Sequence, residues 1–294
     1  MVEVILQNER KSRDNLEAIS LKGSKPKKYR EDNILVDEEN RIFLLADGMG
    51  GKPKGERASR LLLEIIYPEM IELKEDIKND NLSDEDITES IKYIVKTANT
   101  GLKKVGEEYN TQKNWGTTLD IALVYNNNLY TGHVGDSGIF IVDGKRPIIE
   151  EITTEHLYLE RAYEELSGVD KKIVTYNSPL TRYMGGEEVE ADVNVTEFKP
   201  RDTLIMGSDA LIKTVLPEEI LSAVYSEEFS NIRSLKETIK ILEETAKSPN
   251  KMKYAFEQFN KKRITYSGEH VTVNINDLIG KNQDDLSIIV YRRR

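Results

Sequence analysis

The sequence has no cysteine among its 294 residues. This absence excludes a disulfide framework, a thiolate metal site and a cysteine-based phosphatase. Only three histidines are present, and none lies at ligand spacing from another, so we do not expect a histidine-based zinc site. We interpret His133 as a packed or hydrogen-bonded strand residue, and His156 and His270 as structural or surface residues.

The sequence also lacks an apolar run long enough to cross a bilayer, and residues 1 to 10 lack the basic start and apolar stretch of a signal peptide. We therefore expect a cytoplasmic protein without a membrane partner. The formal net charge is −10, which argues against nucleic acid as a partner, because phosphate-backbone binding needs a basic face.

The spacing of apolar residues predicts both strands and helices. Strands are expected at residues 18–21, 34–36, 42–46, 117–125, 128–134, 138–142, 202–206, 271–275 and 286–291. One helix is expected from Glu56, with Pro68 bending or ending it, and another from Ser83, where Asp86 completes a capping box. Two shorter helices are expected, one opened by Pro217 and one around 235–246.

Two stretches have little pattern. Residues 155–186 are weakly periodic and are either an ordinary connection or a mobile flap beside a site, and residues 247–280 look like an insertion. We find no internal repeat, low-complexity tract or linker, so a single domain over 1–294 is the simplest organisation.

Acidic residues recur where apolar runs end. Four of them, each beside Gly or Ser or in a polar turn, suggest oxygen ligands that converge at one edge of a sheet core. They are Asp47, Asp136, Asp209 and Asp284, and the pair Glu31-Asp32 adds two more carboxylates. Sites built only from oxygen suit Mg²⁺ or Mn²⁺. Carboxylates packed together without a metal would raise one another's pKa, so either these are dispersed on the surface or a cation neutralises them.

The chain resembles the metal-dependent serine/threonine protein phosphatase family, the protein phosphatase 2C type, in its bacterial branch. The resemblance rests on seven motifs in the family's order. They are Glu31-Asp32; Ala46-Asp47-Gly48-Met49-Gly50-Gly51 with Gly55-Glu56 and Ala58-Ser59; Gly116-Thr117-Thr118; His133-Val134-Gly135-Asp136-Ser137; Leu180-Thr181-Arg182; Ser208-Asp209-Ala210; and Asp284 before Leu286-Ser287-Ile288-Ile289-Val290.

This resemblance implies an α+β fold, a four-layer α-β-β-α sandwich in which two antiparallel β-sheets are flanked by helices, with a metal cleft at one end. It implies two Mn²⁺ or Mg²⁺ ions. Asp47 would bridge them and the Gly48 carbonyl would bind one. Asp209 and Asp284 would complete the ligands of the other, and Glu31 would act through waters.

The resemblance also implies a weaker third metal site, formed by Asp136 with Asp209. A water shared by two cations loses its proton near neutral pH and attacks phosphorus in line. The candidate catalytic residues are therefore Asp47, Asp209 and Asp284, together with Lys27 as the phosphate anchor.

The chain departs from the family's pattern at five positions. Lys27 stands where the anchoring Arg is usual, and Lys binds phosphate as a point charge without the bidentate fork, so affinity is lower or Arg30 substitutes. Arg30 itself replaces an Asn, Gly138 replaces an Arg, and Ala210 replaces a Gly. Asp285 replaces an Asn and adds a negative charge beside the site. None removes a proposed metal ligand, so these changes concern substrate positioning more than catalysis.

We therefore expect a monomeric phosphatase that acts on phosphoserine or phosphothreonine in proteins phosphorylated by a Ser/Thr kinase. One alternative, motivated by Lys27, is a catalytically weak phosphatase-like regulatory or binding module. Another is a phosphatase of small phosphorylated metabolites, which turnover on a phosphopeptide and on sugar phosphates would separate from the first.

Overall fold

The computed structural model describes residues 3–5, 9–23, 31–49, 53–108, 115–158, 179–187, 189–226, 231–248, 265–266, 269–270 and 285–294. Several sequence predictions lie outside these ranges: Lys27, Arg30, Asp284, the strand at 271–275, residues 159–178 of the predicted flap and most of the predicted insertion.

The described residues form strands and helices in the following order. The strands are β1 (Glu3–Ile5), β2 (Glu9–Arg13), β3 (Leu16–Leu21), β4 (Asp32–Asp37), β5 (Ile42–Met49), β6 (Gly116–Thr117), β7 (Leu119–Tyr125), β8 (Asn128–Val134), β9 (Gly138–Val142), β10 (Ile149–Glu151), β11 (Asp192–Glu197), β12 (Thr203–Gly207), β13 (Thr265–Tyr266), β14 (Glu269–His270) and β15 (Leu286–Arg292). The helices are α1 (Pro53–Asp80), α2 (Asp84–Glu108), α3 (Asp209–Ile212), α4 (Pro217–Val224) and α5 (Leu235–Ala246).

The strands form two antiparallel sheets. The first sheet has the order β1-β4-β5-β7-β8-β11, with β6 paired to β5, and the second has the order β10-β9-β12-β15-β3-β2. Within the part of the chain that the structure describes, strands β13 and β14 pair only with each other. The predicted α+β fold with two antiparallel sheets and flanking helices is confirmed.

Alternation along β5 separates two of the cores. Phe43 and Leu45 point between the sheets, where they join Ile289 of the second sheet. Leu44 and Ala46 point the other way, into a core shared with α1 and α2. Successive strand residues face opposite sides of a sheet, so one buried strand supplies both cores. On the outer face of the second sheet, side chains of β12 and β15 pack with α3, α4 and α5 in a third core.

Helix α1 continues through Pro68 to Asp80, so the alternative that Pro68 ends the helix is wrong. A proline inside a helix removes one backbone hydrogen bond. Beyond Pro68, however, Met70, Leu73 and Ile77 are buried in the core shared with the first sheet. Tertiary packing of this apolar face outweighs the local cost of the proline.

The capping box predicted at the start of α2 is confirmed. The Ser83 backbone N–H donates to Asp86 Oδ2 at 3.0 Å, and the Asp86 N–H donates to Ser83 Oγ at 3.1 Å.

Among the described helices, none is both long and apolar enough to span a membrane.

Candidate active site

The Asp47 backbone is fixed by the Gly-Thr-Thr motif. Asp47 lies in β5, and its N–H donates to Thr118 Oγ1 at 3.0 Å, while the Thr118 N–H donates to the Asp47 carbonyl at 2.8 Å. Thr117 Oγ1 donates to the same carbonyl at 2.9 Å. The two threonines therefore set the position of the Asp47 main chain from the neighbouring strands.

Glu31 is tied to the Gly48 backbone and to helix α1. The Gly48 N–H donates to the Glu31 carbonyl at 3.0 Å, and Ser59 Oγ donates to that carbonyl at 2.5 Å. Asn33 Nδ2 in turn donates to Ser59 Oγ at 2.8 Å. Glu31 and Gly48, which sequence predicts to serve one metal centre, are brought together by this network.

Asp32 joins the carboxylates of the two sheets. It pairs in register with Asp47 across β4 and β5. Burial raises the pKa of the Asp32 carboxyl from 3.8 to about 8, helped by the negative charges of Asp285 and Asp209, although contacts with Asp47 and Ser287 oppose the rise. Asp209 and Asp285 adjoin strands β12 and β15 of the second sheet. Carboxylates that converge from both sheets therefore affect one another at this end of the sandwich.

The residues present fit a hard divalent cation. Asp32 Oδ2 is buried, with no hydrogen-bond partner within the described residues. A buried carboxylate oxygen of this kind, among other carboxylates, suits an oxygen-preferring ion such as Mg²⁺ or Mn²⁺. No group of three or more Asp, Glu or His side chains in the described ranges is already arranged to hold a metal ion, and Asp284, a proposed ligand, lies outside those ranges.

Asp136 and Asp209 are brought together, but a lysine lies between them. Lys213 Nζ contacts Asp136 Oδ2 and lies 3.1 Å from Asp209 Oδ2. All three residues are buried. Sequence reasoning missed Lys213, although its spacing of four residues from Asp209 is the signal that predicts this ion pair across one helical turn.

Asp285 lies beside the site, where its charge raises the pKa of Asp32, and its carboxylate accepts hydrogen bonds from two backbone amides. Its Oδ1 accepts from the Gly23 N–H at 2.9 Å, and its Oδ2 accepts from the Glu31 N–H at 2.8 Å. These two amides flank residues 24–30, the segment that carries Lys27 and lies outside the described residues.

His133 and His156 have structural surroundings. His133 Nδ1 lies 2.7 Å from Asp120 Oδ1, both fully buried, which confirms the prediction of a hydrogen-bonded strand residue. His156 is also buried; its Nδ1 accepts from the Gly135 N–H at 3.1 Å and its ring lies 4.7 Å from that of His133. The structural interpretation of His156 is confirmed. The surface alternative is wrong, because the fold buries His156 and packs its ring against that of His133.

Part of this chain matches a known family model. A family model described as "Protein phosphatase 2C" matches residues 25–158. The serine/threonine protein phosphatase PstP of Mycobacterium tuberculosis is 27% identical over 197 residues, which are 66% of this chain and 36% of that relative. The protein phosphatase PhpP of Streptococcus pneumoniae is 22% identical over 189 residues, 63% of this chain and 73% of that relative. The chain thus spans little more than a third of the mycobacterial relative, at 36%.

Comparison with solved structures confirms the fold. The crystal structure of the M. tuberculosis phosphatase PstP/Ppp has a TM-score of 0.68 and 21% identity, covering 95% of this chain and 98% of that one. The catalytic domain of PstP in complex with two manganese ions has a TM-score of 0.65 and 21% identity, covering 94% and 96%. These structures show a shared fold, and the family-model match to residues 25–158 supports the resemblance to the bacterial metal-dependent protein phosphatases.

Proposed function

Because the chain shares sequence motifs and fold with the bacterial metal-dependent protein phosphatases, we propose that it hydrolyses phosphoserine and phosphothreonine in proteins. The observation that supports the proposal most directly is the buried Asp32, whose pKa is raised by burial and by Asp285 and Asp209. A carboxylate set of this kind is stabilised by multivalent cations.

We propose a centre of two Mn²⁺ or Mg²⁺ ions. Asp47 would bridge them, the Gly48 carbonyl would bind one, and Asp209 and Asp284 would complete the other, with Glu31 acting through waters. When bound, the ions would offset charge on the phosphoryl oxygens and lower the pKa of the attacking water. The solved relative with two manganese ions is consistent with this count.

The chain's own residues would position the ligands of this centre. The hydrogen bonds from Thr117 and Thr118 fix the Asp47 main chain, and that from Gly48 to the Glu31 carbonyl ties the two proposed ligands. No covalent enzyme intermediate is needed. Lys27 or Arg30 would bind the phosphoryl group of the substrate as a cation.

The substrate and setting follow from the same proposal. We expect phosphorylated proteins, made by a Ser/Thr kinase, as substrates of a cytoplasmic monomer, and relatives named protein phosphatases support that substrate class. Residues 155–186 would form a flap that helps to choose among them. Exchange of this segment should change selectivity among phosphopeptides, and unchanged selectivity would remove the flap from the proposal.

The test is hydrolysis of p-nitrophenyl phosphate against Mn²⁺ and Mg²⁺ concentration, with wild type and Asp209→Asn. We expect metal-dependent turnover that the substitution abolishes while the variant stays folded. Asp14→Asn is the matched control, because the Asp14 side chain is 89% exposed and forms a surface ion pair with Arg294; it should retain full turnover.

Two outcomes would count against the proposal. Absence of turnover by folded, metal-loaded wild type would favour the regulatory or binding module, and retained activity in Asp209→Asn would reject the site. Turnover on a phosphopeptide and on sugar phosphates, measured side by side, then separates a protein phosphatase from a metabolite phosphatase.

A further inference from the structure

A buried ammonium group lies where the sequence predicts a third metal ion. The family resemblance places that weaker site between Asp136 and Asp209. In the structure, Lys213 Nζ contacts Asp136 Oδ2 and lies 3.1 Å from Asp209 Oδ2. A cation supplied by the chain itself therefore already bridges the two carboxylates.

Strand register produces this arrangement. Gly138 of β9 pairs with Gly207 of β12. Asp136 comes two residues before Gly138 and Asp209 two residues after Gly207, so both carboxylates lie just beyond the same end of one strand pair. A residue one helical turn after Asp209 lies on the same side of the turn as Asp209, and here that residue, Lys213, contacts both carboxylates.

The short helix α3 supplies that charge. The Lys213 N–H donates to the Asp209 carbonyl at 2.8 Å, which closes one turn and sets Lys213 on the same side as Asp209. The next residue, Thr214, donates through its Oγ1 to the Ala210 carbonyl four residues earlier. The lysine is thus held by the backbone hydrogen bonds of the turn that begins at the proposed ligand.

Burial fixes the lysine in place. Its side chain is 3% exposed, and those of Asp136 and Asp209 are 9% and 11% exposed. An ammonium group taken out of water needs charged or hydrogen-bonding partners, and removal of one partner leaves an uncompensated charge. Displacement of Lys213 by a metal ion would force the ammonium out of this pair of carboxylates into a buried surrounding.

We propose that the Lys213 ammonium takes the place of the third metal ion, so that Asp136 is a partner of Lys213 and not a metal ligand. The chain then holds two divalent ions, a count that rests on the proposed function. The residues at this position do not fit a third divalent ion, because the ammonium already contacts both carboxylates and would repel such an ion. Lys213 is a positioning residue whose ammonium offsets the charge of Asp209, from which it lies 3.1 Å away.

The first experiment counts bound Mn²⁺ per chain by equilibrium dialysis, with free Mn²⁺ followed by its electron paramagnetic resonance signal. Wild type and Asp136→Asn are compared. We expect the same number of ions in both, because Asp136 binds the lysine. Loss of one ion from Asp136→Asn would overturn the proposal.

The second experiment removes the ammonium. Lys213→Met keeps a similar length without the charge, and it should bind one more Mn²⁺ than wild type. Adding Asp136→Asn to Lys213→Met should abolish that extra ion. Lys74→Met is the matched control. Lys74 is another buried lysine, but it lies in α1 and donates to the Val124 carbonyl at 2.8 Å. It should leave the count unchanged.

The outcomes separate this inference from the proposed function. Metal-dependent hydrolysis with an ion lost in Asp136→Asn would reject the role of Lys213 and keep the phosphatase. If there is no hydrolysis but Lys213→Met gains an ion that depends on Asp136, the phosphatase is rejected and the role of Lys213 is kept. An unchanged count in folded Lys213→Met would overturn the inference. If that variant does not fold, the comparison of wild type with Asp136→Asn decides alone.

Discussion

A Cβ atom added to Gly48 would lie 2.1 Å from the carbonyl oxygen of Gly55. The reverse contact is also close, because a Cβ on Gly55 would lie 2.9 Å from the Gly48 carbonyl oxygen and 2.5 Å from Glu31 Oε1. The end of β5 and the first turn of α1 therefore approach backbone to backbone. This approach places the Gly48 carbonyl, a proposed metal ligand, beside Glu31.

Gly48→Ala should destabilise the protein, because the obstructing atoms belong to the backbone and no side chain can move aside. We expect a loss of about 1–3 kcal/mol or more in the free energy of unfolding, measured by urea denaturation. Gly101→Ala is the control. Gly101 lies inside α2, and a Cβ added there would lie 3.6 Å from Ile65 Cδ1, an ordinary contact. Alanine at this position should increase the free energy of unfolding by about 0.5–1 kcal/mol. Equal stability of Gly48→Ala and wild type would contradict the close approach.

Asp285→Asn should weaken both stability and substrate binding. The Asp285 carboxylate accepts from the Gly23 and Glu31 amides, and an asparagine would turn an NH₂ group towards one of these donors. We expect a loss of about 1–3 kcal/mol and a KM for phosphopeptide that rises more than kcat falls, because the two amides flank the segment with Lys27.

The control for Asp285 is Asp143→Asn. Asp143 Oδ1 also accepts from two backbone amides, those of Lys145 and Arg146, in an exposed turn. This substitution should cost stability without changing KM. If Asp285→Asn leaves KM at the wild-type value, the residue has no part in positioning the phosphate-binding segment.

Local sequence signals predicted most of the buried strands and the helix starts. The continuous apolar run at 42–46 predicted β5, and the Ser83–Asp86 spacing predicted the start of α2, because both patterns act within one element. Strand β11 was not predicted: it lies at an edge of the first sheet, where three of its six residues are exposed and none is buried. Its pairing with β8 supplies the order that its own composition does not.

The candidate site was predicted in part for the same reason. Glu31 and Gly48 were found from motif resemblance, and the structure brings them together through one hydrogen bond. The roles of Asp32 and Lys213 depend on contacts between residues distant in sequence: the β4–β5 register for Asp32, and the β9–β12 register for Lys213. Periodicity within one segment carries no information about either register.

Tyr67→Phe should lower stability at neutral pH and less in acid. Tyr67 Oη donates to Asp37 Oδ2 at 2.8 Å. Burial raises the pKa of Asp37, but hydrogen bonds from Asn40 and Tyr67 outweigh burial and hold the pKa below its ordinary 3.8. A carboxyl with a lowered pKa stabilises the fold above its unfolded pKa, and this contribution disappears as pH falls through the folded pKa.

We therefore expect Tyr67→Phe to cost about 1–3 kcal/mol at pH 7 and progressively less below about pH 4, measured by urea denaturation across pH. Tyr93→Phe is the control, because Tyr93 is 69% exposed on α2 and its substitution should change stability by less than about 0.5 kcal/mol. A pH-independent cost for Tyr67→Phe would show that the hydroxyl does not act through the Asp37 charge.

Lys74 should make the protein more stable in mild alkali. Burial lowers the pKa of Lys74 from 10.5 to about 8, with the positive charges of Arg41 and Lys78 adding to the effect and Asp37 opposing it. Between these two pKa values the unfolded chain holds a proton that the folded protein has lost, so stability rises with pH across that window. The full shift corresponds to about 3 kcal/mol.

We expect the free energy of unfolding of wild type, relative to that of Lys74→Met, to increase by up to this amount between pH 8 and 10.5 and to be flat below pH 7, because the ammonium is then charged in both states. Parallel pH profiles for the two proteins would mean that Lys74 keeps its proton in the fold, held by the Val124 carbonyl and the Tyr125 ring, whose centre lies 4.8 Å from Nζ.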